Sequence, residues 1–227
     1  MGSRKTAAVR YLIFLDEPEG TPYIIRNDHS ELIAMRTKEF EPDAIADAAM
    51  QVFWQRGYAA TSIQDLVEGT GLSRSSLYDT FENKQGLYQQ ALRRYEAVTT
   101  ANVQLLAGSG SPCALIRQLL ARVAENELSD PQHRGCLVAN ATLELAGHDE
   151  AVAELVAHNF QRLQKALEKL IRRGQETGEI RAEKNPRALA RFFVNTMQGM
   201  RILSKGTSSA QRRQCLQDII DVALGTL

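Results

Sequence analysis

Residues 61–92 read TSIQDLVEGTGLSRSSLYDTFENKQGLYQQAL. Three helix starts fall inside this stretch, in about half the length that three average helices need. Ser62-x-x-Asp65 has the form of a capping box, in which a hydroxyl and a carboxylate satisfy each other's backbone donors. Ser73 and Asn83 are good N-caps for two further helices. Gly69-Thr70-Gly71 ends the first of the three, and Ile63, Leu66 and Val67 supply its apolar side.

Two short helices joined by a tight glycine-containing turn form a helix-turn-helix, whose second member enters the DNA major groove. Leu72, Leu77 and Phe81 are placed to hold that second helix on a core, 77 and 81 being about one turn apart. Arg74, Ser75, Ser76, Tyr78 and Thr80 are then left to the outside, with Ser73 at the cap. Short hydroxyls allow close approach to phosphates and base edges, and an arginine can pair bidentately with guanine. Thr61, Ser62 and Lys84 lie at helix N-termini, where backbone N–H groups and the dipole favour phosphate.

Outward from this stretch, helical period dominates from Pro42 onward. Pro42 suits the first turn of a helix and Gly57 the position just past its end. Between them Ile45, Ala48, Ala49, Val52 and Phe53 form one apolar face. The helix starting at Asn83 runs to about Leu106, and further helices are expected at 113–128, 136–146, 149–174, 186–204 and 208–224. The expected fold is all-α: a three-helix helix-turn-helix domain at 36–82 and a helical regulatory and dimerisation domain at 83–227. Residues 1–35 lack sustained periodicity and are expected to be a weakly ordered extension, with Met35 a natural chain start. The competing reading of that segment is a DNA-binding arm using Arg4, Lys5 and Arg10.

Composition narrows the chemistry. The chain has 227 residues, 44% hydrophobic and 24% charged, enough for a substantial core. Lys+Arg and Asp+Glu both number 27, so no global field draws the chain to nucleic acid. From 35 to 100 seven cations face nine acids, so affinity for DNA must come from placement and from dimerisation. Three cysteines at irregular spacing make neither a disulfide framework nor a zinc pattern. The apolar run Tyr11 to Leu15 is far too short for a signal core or a membrane span, so a cytoplasmic protein without a membrane partner is expected. No nucleophile-elbow, phosphate-loop, zinc-protease or dinucleotide motif occurs, so no catalytic residue, metal or cofactor is expected.

The segment VFWQRGYAATSIQDLVEGTGLSRSSLYDTFENKQGLYQQAL resembles the N-terminal domain of the tetracycline-repressor (TetR) family. The matching elements are the aromatic-x-x-Arg-Gly-Tyr end of helix 1, the Thr-Ser opening helix 2 and the Gly-Leu-Ser before the recognition helix. Leu-Tyr-x-x-Phe and Asn-Lys-x-x-Leu follow in order, and the resemblance covers about Pro42 to Leu92. It implies DNA-contact roles for Thr61, Ser62, Arg74, Ser75, Ser76, Tyr78 and Lys84, with Tyr78 and Lys84 on phosphates and 74–76 near bases. Thr80 stands where the family often has His, and Val67 and Thr70 replace frequent alanines.

The same resemblance implies a homodimeric repressor on a palindromic double-stranded DNA operator, released by a small-molecule inducer of unknown identity. The dimer would form through the last two helices, where Phe192, Phe193, Met197, Met200 and Leu203 precede Leu216, Ile219, Ile220, Val222, Ala223 and Leu224. Gly135-Cys136-Leu137 resembles a branch that includes electrophile- and oxidant-sensing repressors, making modification of Cys136 a second release route. Physically, a helix N-terminus with Arg134 and His133 adjacent would favour its thiolate; the alternative is a small buried hydrophobe. Asn140, one turn on, and Met197 and Met200 complete the expected sensor set. The competing class is a small-molecule-binding or scaffold protein whose helix-turn-helix is vestigial.

Overall fold

The computed structural model describes residues 41–227. The extension expected at 1–35, its Arg4, Lys5 and Arg10, and the start at Met35 lie outside the described residues. Nine helices and no strand occur among those described: α1 Pro42–Arg56, α2 Ile63–Thr70, α3 Arg74–Phe81, α4 Lys84–Ala107, α5 Pro112–Ser129, α6 Leu137–Glu144, α7 Glu150–Glu176, α8 Pro186–Gly206 and α9 Ser209–Leu224. The all-α expectation holds, and side-chain caps open α2, α3, α4, α5, α7 and α8, whereas α1, α6 and α9 start without one. None of the nine is long and apolar enough to cross a membrane.

Local chemistry sets most of the ends. Ser62 and Asp65 form the full capping box of α2, Ser73 accepts from the Ser76 amide, and Asn83 accepts from the Gly86 amide. Ser111, Asp149 and Asn185 cap α5, α7 and α8 in the same way. Gly71 closes α2 with φ +70°, the left-handed conformation that glycine adopts without a Cβ penalty.

Two hydrophobic clusters organise the molecule. The first gathers α1, the buried residues of α2 and α3, the first half of α4, the start of α6 and the start of α7. The second joins the end of α4, α5, the later part of α7, α8 and α9. Thus α4 and α7 run through both, and α6 packs with the helix-turn-helix rather than with the second cluster. On α1 the fully buried residues are Ile45, Ala46, Ala49, Met50 and Phe53, whereas Ala48 and Val52 are half-buried. The buried arc is turned relative to the expected face because α1 has a neighbour on each side. α4 holds it through Arg94 to Asp43 and Asp47, and α2 lies so close that a Cβ on Gly69 would meet Val52 at 2.3 Å.

Candidate nucleic-acid interface

The recognition helix is seated by three buried side chains, Leu72, Leu77 and Phe81. Burying each contributes on the order of 1.5–3 kcal/mol, which fixes the rotation of a helix too short to persist alone. That rotation leaves Arg74, Ser75 and Thr80 exposed and Ser76 and Tyr78 half-buried. The Arg74 guanidinium carbon lies 5.7 Å from the centre of the Tyr78 ring, so the two are presented together. The hydroxyl of Ser73 lies 2.9 Å from those of both Ser75 and Ser76, a connected set at the exposed N-terminus of α3. Thr80 donates to the Ser76 carbonyl at 2.8 Å.

Beside it, Ser62 is exposed at the start of α2, its amide and hydroxyl both donating to Asp65. Those bonds from Ser62, with Arg56 at 3.0 Å, hold the Asp65 carboxyl below the usual carboxylate range. The junction of α3 and α4 is tight: Glu82 has φ +65°, and a Cβ on Gly86 would meet the Phe81 carbonyl at 2.4 Å. This locks the N-terminus of α4 against the end of α3.

Two expected contact residues sit differently from the sequence reading. Thr61 is only 2% exposed, and its hydroxyl donates to the Gly57 carbonyl at 2.5 Å. Its side chain therefore braces the α1–α2 corner instead of facing outward. Lys84 is half-buried with its ammonium 4.3 Å from the centre of the Tyr58 ring, and burial lowers its pKa while Glu144 and Asp65 oppose the shift. Its charge is held by an aromatic face beside the first turn of α4.

Sequence reasoning missed the contacts that tie α1, the loop after it and α4 to α6 and the start of α7. Glu144, the last residue of α6, accepts from the Ala59 amide at 2.9 Å. Trp54 donates to the Gly135 carbonyl at 3.1 Å, and Gln85 donates to Asp149 at 2.6 Å. Partners 64 to 85 positions apart leave no local pattern.

The expected sensor residues are not brought to one place. Cys136 is the N-cap of α6 and 5% exposed, lining a narrow cleft with Met197. Met200 instead underlies a separate surface groove between α8 and α9. Asn140 donates to the Arg134 carbonyl at 3.2 Å. The cations expected beside the thiol are engaged elsewhere: Arg134 covers Trp54 and pairs with Asp130, and His133 lies 3.4 Å from Arg212. The cations that share the Cys136 cleft are Arg162 and Arg201. Among the described residues no group of His, Cys, Asp and Glu is arranged to hold a metal ion.

The apolar residues of the last two helices divide into inner and outer sets. Phe193, Met197, Met200, Leu216, Ile220 and Ala223 are buried within the chain, so their expected place in an interface is corrected. Phe192, Ile202, Leu203 and Val222 remain exposed.

Comparison with known proteins agrees with this geometry. Residues 45–91 match the family model for bacterial regulatory proteins of the tetR family, and 112–219 match the tetracyclin repressor-like C-terminal domain. The chain is 32% identical over 195 residues to the HTH-type transcriptional regulator YezE of Bacillus subtilis, covering 85% of this chain and 98% of that protein. It is 31% identical over 194 residues to the HTH-type transcriptional repressor ComR of Escherichia coli, covering 85% and 90% respectively. Among solved structures, a cysteine-substituted form of the regulator CifR complexed with 26-base-pair double-strand operator DNA superposes with a TM-score of 0.73 at 28% identity. That match covers 84% of this chain and 98% of the other.

Proposed function

The chain belongs to the tetR family of bacterial regulatory proteins and is a transcriptional regulator, not an enzyme; on that premise we propose a homodimeric repressor released from a near-palindromic operator by a small molecule. The observation that carries this reading is the seating of α3, whose buried Leu72, Leu77 and Phe81 leave Arg74, Ser75 and Thr80 exposed beside the first turn of α2. Arg74 is assigned to a base edge, with Ser73, Ser75, Ser76 and Thr80 close to bases or phosphates. Ser62, Tyr78 and Lys84 are assigned to phosphates, and Thr61 to holding the corner. The repressor assignment draws support from the relative ComR, named a repressor, and the DNA partner from the operator complex of CifR.

Dimerisation is assigned to α8 and α9. Their exposed Phe192, Leu203 and Val222 line a surface groove of about 400 Å³, apolar surface that a second copy would remove from water. The division of labour is a DNA-binding domain over 36–82 and a regulatory domain over 83–227. For release, the burial of Cys136 and the engagement of Arg134 elsewhere favour a non-covalent effector over thiol modification. A ligand shifts the balance only by its differential affinity for the DNA-competent and released states.

The test is selection of bound duplexes from a random pool, followed by salt titration of the recovered sequence. A recovered inverted repeat, with half-site centres about 34–36 Å apart or a multiple, supports the reading. Recovery of no preferred sequence, with salt-independent binding, overturns it in favour of a carrier with a vestigial helix-turn-helix.

A further inference from the structure

A groove of about 780 Å³ runs between α4 and α7, a volume suited to a small organic molecule. Its α7 wall carries Arg162, Lys165, Lys169, Arg172 and Arg173, with Glu176 the one acid of the lining. These positions recur at three- and four-residue steps, so they form one stripe along the helix. Arg172 is paired with Glu168 at 2.7 Å and Arg162 with Glu96 at 2.9 Å. Arg173 donates to the carbonyls of Gly108 and Gly110. Lys165 and Lys169 are exposed and have no acidic partner among the described residues. In a chain of zero net charge this is a local excess of positive charge.

The floor is apolar: Val103 and Leu106 of α4, Ala166 and Leu170 of α7. Arg162 and Val103 also line the interior cleft that holds Arg201, Asn102, Asn159 and Gln198. That cleft measures about 20 Å³, room for about one water. Groove and cleft thus share Val103 and Arg162, whose guanidinium donates to Thr100 at 2.9 Å.

We propose that the α4–α7 groove binds a small organic anion with an apolar body, an alkyl or aryl carboxylate or sulfonate, and that this anion is the effector. The proposal rests on the reading of the chain as an effector-released regulator. The acid group pairs with Arg162, Lys165 and Lys169, and the body lies on the floor. A nucleic-acid backbone would satisfy the cations but leave the floor wet, which favours the small anion. Binding competes with Glu96 for Arg162, so removing the Glu96 charge strengthens it.

The probes are 8-anilinonaphthalene-1-sulfonate and N-phenyl-1-naphthylamine, which share their rings and differ by the sulfonate. Both are titrated by fluorescence into the full chain without DNA. Lys165→Gln/Lys169→Gln and Arg162→Gln are each expected to weaken the sulfonate by roughly tenfold and to leave the neutral amine within about twofold. Glu96→Gln is expected to tighten the sulfonate, and Arg187→Gln, on α8 outside the groove, to change neither. Equal affinity for the two probes, or sulfonate binding indifferent to all groove substitutions, overturns the site. Displacement of the sulfonate by a random duplex, lost in Lys165→Gln/Lys169→Gln, overturns it in favour of a polyanion surface. An operator that stays bound while the sulfonate saturates the groove overturns the effector role and leaves the anion site standing.

Discussion

The guanidinium of Arg134 lies 4.3 Å from the centre of the Trp54 ring, 80 positions away in the chain, while the ring nitrogen donates to the neighbouring Gly135 carbonyl. One tryptophan of α1 is thereby gripped by the loop that opens α6. Arg134 also reaches Gln51 of α1 at 3.0 Å, and Lys205 of α8 donates to the Arg134 carbonyl at 3.4 Å. The loop therefore touches the DNA-reading head on one side and the penultimate helix on the other.

Trp54→Phe keeps an aromatic face for Arg134 and removes the hydrogen bond to Gly135. A cost of about 1–2 kcal/mol is expected, read as a lower urea midpoint with unchanged slope. An unchanged midpoint would mean that this link adds nothing to stability.

Arg74→Ala is expected to cost on the order of 1–3 kcal/mol of operator binding and to relax sequence preference. Lys84→Ala should weaken all duplexes alike and lower the salt slope by about 1. Anisotropy titrations on operator and scrambled duplex at several salt concentrations read both effects. Operator selection that survives Arg74→Ala would remove that residue from base reading.

The hydrogen bonds from Arg94 hold the Asp47 carboxyl below the usual carboxylate range, tying α1 to α4. A depressed folded-state pKa stabilises fully above the unfolded value of about 3.9 and loses that contribution as pH falls through the folded value. Asp47→Asn should therefore lower Tm at pH 7, and its deficit against the parent should shrink as pH drops below about 4. A deficit constant from pH 7 to pH 2.5 would show that the carboxylate charge contributes nothing.

Leu203 is 51% and Val222 73% exposed on the proposed dimer face. Leu203→Glu/Val222→Glu should weaken self-association by about 100-fold or more, seen by sedimentation, with the helical spectrum retained. Undiminished association would move the interface elsewhere.

Cys113 and Cys215 are half-buried and Cys136 is buried. In the native chain N-ethylmaleimide should label the first two well before Cys136, as followed by mass spectrometry. Preferential labelling of Cys136, coupled to loss of operator binding, would restore thiol sensing as the release route.

The sequence by itself determined the helices and the identity of the reading head. Caps act within three or four residues, so Ser62, Asp65, Ser73, Asn83 and Asn185 announce where helices start without reference to the rest of the chain. The seating of α3 was equally legible, since Leu72, Leu77 and Phe81 share a face through helical spacing alone. Only the tertiary structure decided which apolar residues of α8 and α9 turn inward, because a periodic stripe does not say whether its partner is the same chain or another. It also turned Thr61 inward, set Lys84 on Tyr58 and sent Arg134 to Trp54 instead of Cys136. Those outcomes depend on side chains brought together from distant positions, and a polar or cationic group takes whichever partner the packing delivers.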